Sequence, residues 1–153
     1  MIILMGGIVL SVLLGQGEFK YRVIEDWAKL PDEWSFMDVA GVAVNSKDEV
    51  FVFNRGEHPM IIFDIKGNYL RSWGENLFSR PHGIHIGPDD YIYCTDDGDH
   101  TVKKISPDGK LIFQIGVPGK PSEFMSNLPF HRCTHTALCP NNNIFVSDGY
   151  GNA

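Results

Sequence analysis

A chain of 153 residues, 43% of them hydrophobic, can bury a real core and is short enough for one domain. Its net charge of −6 argues against a surface built for nucleic acid or anionic lipid. The three cysteines, Cys94, Cys133 and Cys139, are odd in number and form no C-x-x-C pair, so they require no oxidising compartment.

The first segment, 1–16, is set apart from the rest, 17–153. Met1 to Leu14 is apolar apart from Gly6, Gly7 and Ser11, with no Lys or Arg in it. A secretory signal needs a positive start, an apolar stretch and a small-residue cleavage site, of which only the apolar stretch is present. The run is too short for a bilayer span. A signal, an anchor and a start-site artefact all stay open for 1–16. The cytoplasm is favoured, secretion follows if the segment acts as a signal, and no membrane contact is expected unless it is an anchor. From Glu18 to Ile24 the chain alternates like a strand.

Beyond it, one stretch is written twice, 42 residues apart. Val42 matches Ile84, Val50-Phe51-Val52-Phe53 matches Ile92-Tyr93-Cys94-Thr95, and Gly56 matches Gly98. Farther on, Phe63 matches Ile105, Gly67 matches Gly109, Leu70 matches Ile112 and Gly74 matches Gly116, without a gap. A third pass opens near Thr136 and repeats the strand pattern at Ile144 to Asp148. Each copy begins with two β-rich runs (residues 40–45 and 50–54 in the first) around a polar turn: Asn45 to Glu49, Gly87 to Asp90, then Pro140 to Asn143. Each complete copy continues through a second hairpin turn, at Asp64-Ile65-Lys66-Gly67 or Ser106-Pro107-Asp108-Gly109. No segment has a helical period.

A period in the low forties that encodes several short strands predicts an all-β chain, a β-propeller of four-stranded antiparallel blades. The second blade is expected over Arg80 to Gly116, and every Phe, Ile and Val of the repeat, with Cys94, is expected in the core between blades. The chain holds about two and a half blades where a closed propeller needs roughly four to eight. It is therefore expected to be the N-terminal part of a six-bladed whole, and its open edges make pairing of two half-propellers one way to close.

Three clusters sit just past or before the strand ends: Asn54-Arg55-Gly56-Glu57-His58-Pro59, Arg80-Pro81-His82-Gly83-Ile84, and Ser147-Asp148-Gly149-Tyr150-Gly151-Asn152. In these the sequence resembles the peptidyl-α-hydroxyglycine α-amidating lyases, six-bladed propellers of the NHL-repeat type. In that family an Arg follows the first blade's inner strand, Pro-His-Gly opens the next blade, and Asp-Gly-Tyr closes the strand after it. The resemblance runs from about Glu18 to the end and covers the first half of the family's domain.

The resemblance implies roles for five residues. His82 would be the first of three His ligands of a catalytic zinc, Tyr150 the general base and Arg55 the arginine beside it. Val42 and Ile84 would lend backbone carbonyls to a structural calcium. The reaction would cleave the C–N bond of a small peptidyl-α-hydroxyglycine substrate, giving a peptide amide and glyoxylate. The chain departs from the family in lacking the later blades, which carry the other two zinc His and the Met and Asp that finish the site. Gly151 stands where the animal enzymes have Cys, and His131 to His135 replaces a Pro-containing start of the third blade. Catalysis is accordingly not expected of these 153 residues alone.

Without the resemblance these residues have plainer readings. His82 can be a hydrogen-bonded loop residue, Arg55 a partner of Asp97 or another strand-end acid, Tyr150 a packing aromatic with a wet hydroxyl, and His85 and His100 surface or blade residues. The whole chain can equally be a non-catalytic NHL-repeat scaffold for a protein or small ligand.

Overall fold

The computed structural model describes residues 13–151. Among them are twelve strands and no helix, each strand pairing antiparallel with its neighbour in sequence. β1 (Leu13–Gln16) and β2 (Phe19–Arg22) form a hairpin across the 16/17 boundary. The leading strand of the sequence reading is thus β2, while 1–12 lie outside the described residues.

The first repeat folds as the meander β3 (Val39–Val44), β4 (Val50–Asn54), β5 (Met60–Phe63) and β6 (Tyr69–Trp73). The second is β7 (Pro81–Ile86), β8 (Ile92–Asp96), β9 (Thr101–Ile105) and β10 (Leu111–Ile115), within the expected bounds of the second blade. The third pass gives the hairpin β11 (His135–Leu138) and β12 (Ile144–Ser147). β3 touches β7 and β7 touches β11, so the first strands of successive copies lie side by side as the inner strands of consecutive blades.

Repetition in sequence is repetition in backbone. The turn between the first two strands of each copy places Asp48, Asp90 and Asn142 at φ of 59°, 61° and 65°, a left-handed conformation that Asn and Asp tolerate better than other side chains. The strand that follows ends in Asn54 or Asp96, or just before Asp148, and in each copy this side chain accepts a backbone N–H from the chain approaching the blade. The donors are Met37 to Asn54 at 3.0 Å, Ser79 to Asp96 at 2.6 Å and His131 to Asp148 at 2.9 Å.

The core lies between the first two blades. Phe51, Phe53, Met60, Ile62 and Trp73 of one meet Ile84, Ile92, Cys94 and Ile105 of the other. Most of this cluster is fully buried, and each such side chain contributes roughly 1.5–3 kcal/mol through removal from water. The opposite face of the first blade, Val52, Ile61 and Phe63, is covered by the loop that carries Trp27, Ala28, Leu30, Trp34 and Phe36. That loop is pinned by Trp27 Nε1 donating to Ile65 O at 3.2 Å and Lys29 N donating to Gly67 O at 2.8 Å. Close approach explains Gly67: its φ is 79°, and a Cβ there would collide with the Trp27 carbonyl.

One expectation is corrected. The repeat's Phe, Ile and Val residues do not all enter the core. On β3, Val39, Val42 and Val44 are half exposed, and Phe145 of β12 is 60% exposed. β3 lines the channel, and among the described residues no blade stands opposite it. β12 is the outer strand of a two-stranded sheet, with no further strand beside it among the described residues.

Candidate functional site

The start of β7 and the turn after β12 meet at one end of the blades. The His82 ring stands between them, with Nδ1 2.9 Å from the Thr134 carbonyl and Nε2 3.2 Å from the Tyr150 hydroxyl. A carbonyl can only accept, so Nδ1 carries the proton, and in the neutral ring Nε2 is the lone-pair nitrogen that takes the Tyr150 O–H. A backbone carbonyl fixing the far nitrogen is the arrangement that orients a metal-binding imidazole. The same Thr134 carbonyl accepts from Thr95 Oγ1 at 2.8 Å, and Thr95 Oγ1 in turn accepts Gly83 N at 2.8 Å. Gly83 has no room for a side chain, since a Cβ would meet the Thr134 carbonyl. The approach of β7 to the third blade that places His82 therefore depends on glycine at this position.

Tyr150 is 61% exposed, its ring 5.4 Å from that of His82 and edge-on to it. The guanidinium over the Tyr150 ring, 5.2 Å from its centroid, belongs to Arg132. Arg55 reaches the same end differently: its Nε donates to Pro81 O at 2.9 Å, one residue before His82. His82 and Tyr150 therefore come together, Arg55 braces the strand that carries His82, and Arg132 occupies the place beside Tyr150 that the resemblance gives to Arg55. Asp97 is not the partner of Arg55 either. Its buried carboxylate takes Arg80 and Arg132, both at 3.1 Å and both on Oδ2. Arg132 lies in the segment read from sequence only as a departure from the family, so no signal marked it.

Four of the remaining histidines lie between the second blade and the third, while His58 stacks on Trp34 at the first. His85 Nδ1 donates to Thr136 O at 3.1 Å and its ring stacks with His135 at 6.4 Å. His100 Nδ1 accepts Arg132 N at 3.1 Å. Burial, then the neighbouring His85 and His82, push the His135 ring below the ordinary imidazole range. Cys94 is fully buried in the core as expected and burial pushes its thiol up; the same cause pushes Cys133 up to about 12. Neither thiol is a nucleophile at neutral pH.

As a zinc site the residues present are incomplete. Among the described residues no group of three or more His, Cys, Asp or Glu could hold a metal ion. His82 has the right tautomer for one ligand, whereas a catalytic zinc takes three from the protein. Val42 and Ile84 occupy matching positions on the adjacent inner strands β3 and β7, paired with Val52 and Cys94 respectively.

Comparison with known proteins follows this geometry. No family model matches the chain. The peptidyl-α-hydroxyglycine α-amidating lyase 1 of Drosophila melanogaster is 37% identical over 90 residues, 57% of this chain and 16% of that protein. The NHL repeat-containing protein 3 of Homo sapiens is 30% identical over 141 residues, 86% of this chain and 40% of the relative. The chain thus spans less than half the length of either relative. Among solved structures, a catalytically inactive virginiamycin B lyase from Staphylococcus aureus with quinupristin superposes with a TM-score of 0.58 at 21% identity, over 85% of this chain and 38% of that one. These likenesses and the meanders define the class: the chain is a partial β-propeller of the NHL-repeat type. Within that class it is similar to the amidating lyases and to NHL repeat-containing protein 3.

Proposed function

We propose that this chain is the first part of an amidating-lyase-like propeller whose substrate is a small peptidyl-α-hydroxyglycine. The observation that supports the reading is the His82–Tyr150 hydrogen bond, with His82 held from behind by the Thr134 carbonyl. Two of the three motifs that resemble the family thereby meet in one contact, and the third sends Arg55 to the neighbouring residue.

In this reading Tyr150, as phenolate, takes the proton of the substrate hydroxyl. That oxygen's electron pair forms the carbonyl of glyoxylate, the C–N bond breaks, and its electrons leave with the nitrogen, which gains a proton as the peptide amide. A zinc bound through His82 Nε2, in place of the Tyr150 O–H that this lone pair accepts in the structure, and through two further imidazoles would supply Lewis acidity at the hydroxyl and leave Tyr150 free for the substrate. The described residues provide one ligand only, so no step is assigned to the metal and no turnover is assigned to the chain by itself. A calcium held by the Val42 and Ile84 carbonyls would be structural and needs a carboxylate from elsewhere.

A chimera tests this. When residues 18–151 replace the matching blades of the Drosophila lyase, it should retain zinc and release glyoxylate from an N-acyl-α-hydroxyglycine. Tyr150→Phe in the chimera should spare zinc and remove turnover, and His82→Ala should lose zinc. A folded chimera that holds zinc and is inert would overturn the reading. It would favour the second one, a non-catalytic NHL-repeat scaffold, the chain being similar also to NHL repeat-containing protein 3, whose name assigns no reaction.

A further inference from the structure

The connection from β10 to β11, residues 116–134, is the longest between strands among the described residues, while the matching connection after the first blade, 74–80, is far shorter. Loops of such length inside a compact domain are uncommon and usually carry function. Its outer part is closed on itself: Ser122 N donates to Phe130 O at 3.0 Å and Ser126 N to Glu123 O at 3.2 Å. Beyond that neck Phe124, Met125 and Leu128 are 63%, 72% and 64% exposed. The tip turns through left-handed backbone, at φ of 53° for Met125 and 60° for Asn127. Asn tolerates that conformation and Met does so rarely, and such backbone clusters at ligand clamps. A hydrogen-bonded loop that keeps large apolar side chains together in water has the mark of a contact surface.

Its place in the molecule narrows what it contacts. His131 follows the neck directly; its N–H donates to Asp148 at 2.9 Å and its carbonyl accepts Gly151 N at 3.1 Å, so the residues on both sides of Tyr150 are tied to it. Arg132 then lays its guanidinium over the Tyr150 ring. From His131 the chain reaches Leu128 in three residues, a span of at most about 11 Å. A peptide whose last residue lies at the Tyr150 hydroxyl has its preceding Cα about 3.8 Å farther on, with a side chain extending from there. The loop is thus within reach of that preceding side chain. Glu123 is the only charge within 122–130.

We propose that loop 122–130 sets side-chain preference at this site, with Phe124 and Leu128 receiving an apolar side chain on the residue that precedes the α-hydroxyglycine. The position of the substrate rests on the proposed function; the apolar preference rests on the loop. An apolar side chain laid on Phe124 and Leu128 removes both surfaces from water, whereas a carboxylate there gives up hydration without gaining a partner. The rival occupant is a later blade of a longer chain.

Three stable analogues test this: N-acetyl-phenylalanyl-glycine, N-acetyl-alanyl-glycine and N-acetyl-glutamyl-glycine, alike in backbone and terminal carboxylate and different in one side chain. Titrated into the 153-residue chain and followed by amide NMR, the phenylalanyl compound should bind at least about fivefold tighter than the alanyl one and shift amides within 122–130. The glutamyl compound should bind no tighter than the alanyl one. Phe124→Ala and Leu128→Ala should each close most of that gap, and Phe124→Leu should keep most of it. All these side chains are exposed, so the variants should retain the wild-type thermal midpoint. Equal binding of the three compounds would overturn the proposal, as would no binding at all or a gap unchanged in both alanine variants. In the chimera, which supplies the later blades, a lower thermal midpoint for Phe124→Ala with the same side-chain preference would assign the loop to a blade contact and also overturn it. A chimera that is inert removes the lyase reading alone, because a preference read as binding at 122–130 stands without turnover.

Discussion

Asn54, Asp96 and Asp148 stand at or just past the end of the second strand of successive copies, and in each the side chain holds the loop that leads into its own blade. Asp96 does most, accepting the N–H groups of Ser79, Arg80, Gly98 and Asp99 while fully buried. Asp96→Ala should therefore lower stability by about 2–4 kcal/mol in urea unfolding, and Asp96→Asn by less, since one oxygen remains. A loss below the surface-substitution range of about 0.5 kcal/mol would contradict the role. A second residue-scale expectation concerns pH. Arg71 donates to both oxygens of Glu49, at 2.7 and 2.9 Å, and this bond holds the Glu49 carboxyl below its ordinary range. A depressed folded-state pKa gives stability that is present above the unfolded value and lost as pH falls through the folded one. Glu49→Gln should thus destabilise at neutral pH, and the gap to wild type should close as the pH drops below the ordinary carboxylate range. A gap that is constant with pH would remove the ion pair as its cause. The sequence reading could name His82, Tyr150 and Arg55 because each falls in a short motif that resembles the lyase family, in the family's order. It could not name the Arg132–Asp97 contact, which joins residues 35 apart through a connection outside the repeat.

At the scale of elements, strand order and turn positions were legible because the repeat fixes them twice over, in apolar alternation and in turn chemistry. Gly67 matches Gly109, and both take positive φ, at 79° and 91°. What the repeat could not show is the loop that covers the first blade, because residues 27–36 have no copy. Its Trp27, Trp34 and Phe36 do for the outer face of the first blade what a neighbouring blade does for the inner one. Gly67 joins the two features: the turn needs left-handed backbone, and the loop passes too close for a Cβ. Gly67→Ala should lower stability by at least about 1–3 kcal/mol and change the fluorescence of Trp27, whose carbonyl would have to move. Gly119→Ala is the control, with φ of 67° but nothing within 4 Å of the added Cβ. If the two substitutions prove equal, backbone strain alone explains Gly67 and the packing of the loop plays no part.

At the scale of the whole molecule, the metal question and the open edges become one. The inner strands β3, β7 and β11 present Val42, Val44, His82, His85 and His135 toward a channel that these blades line on one side. Sequence matching found His82 because Pro-His-Gly is local. A ligand set drawn from separate blades is not local, and among the described residues it is not complete. A single imidazole leaves zinc mostly hydrated. The 153-residue chain should therefore hold well under one zinc per chain after dialysis, and His82→Ala should change that content little. Light scattering on the same samples adds the second axis. β12 has no outer neighbour among the described residues, and an unpaired strand edge invites pairing. Concentration-dependent doubling of mass without metal would support closure by two half-propellers. Stoichiometric zinc with an unchanged mass would overturn the expectation of an incomplete site and point to other histidines of the chain, His58, His85, His131 or His135. Zinc held at one ion per two chains, lost in His82→Ala together with the doubled mass, would mean that the site is finished by a second copy. Two His82 imidazoles, one from each copy, would then hold the ion, and the third ligand of a catalytic site would have to come from another histidine of one of the two chains.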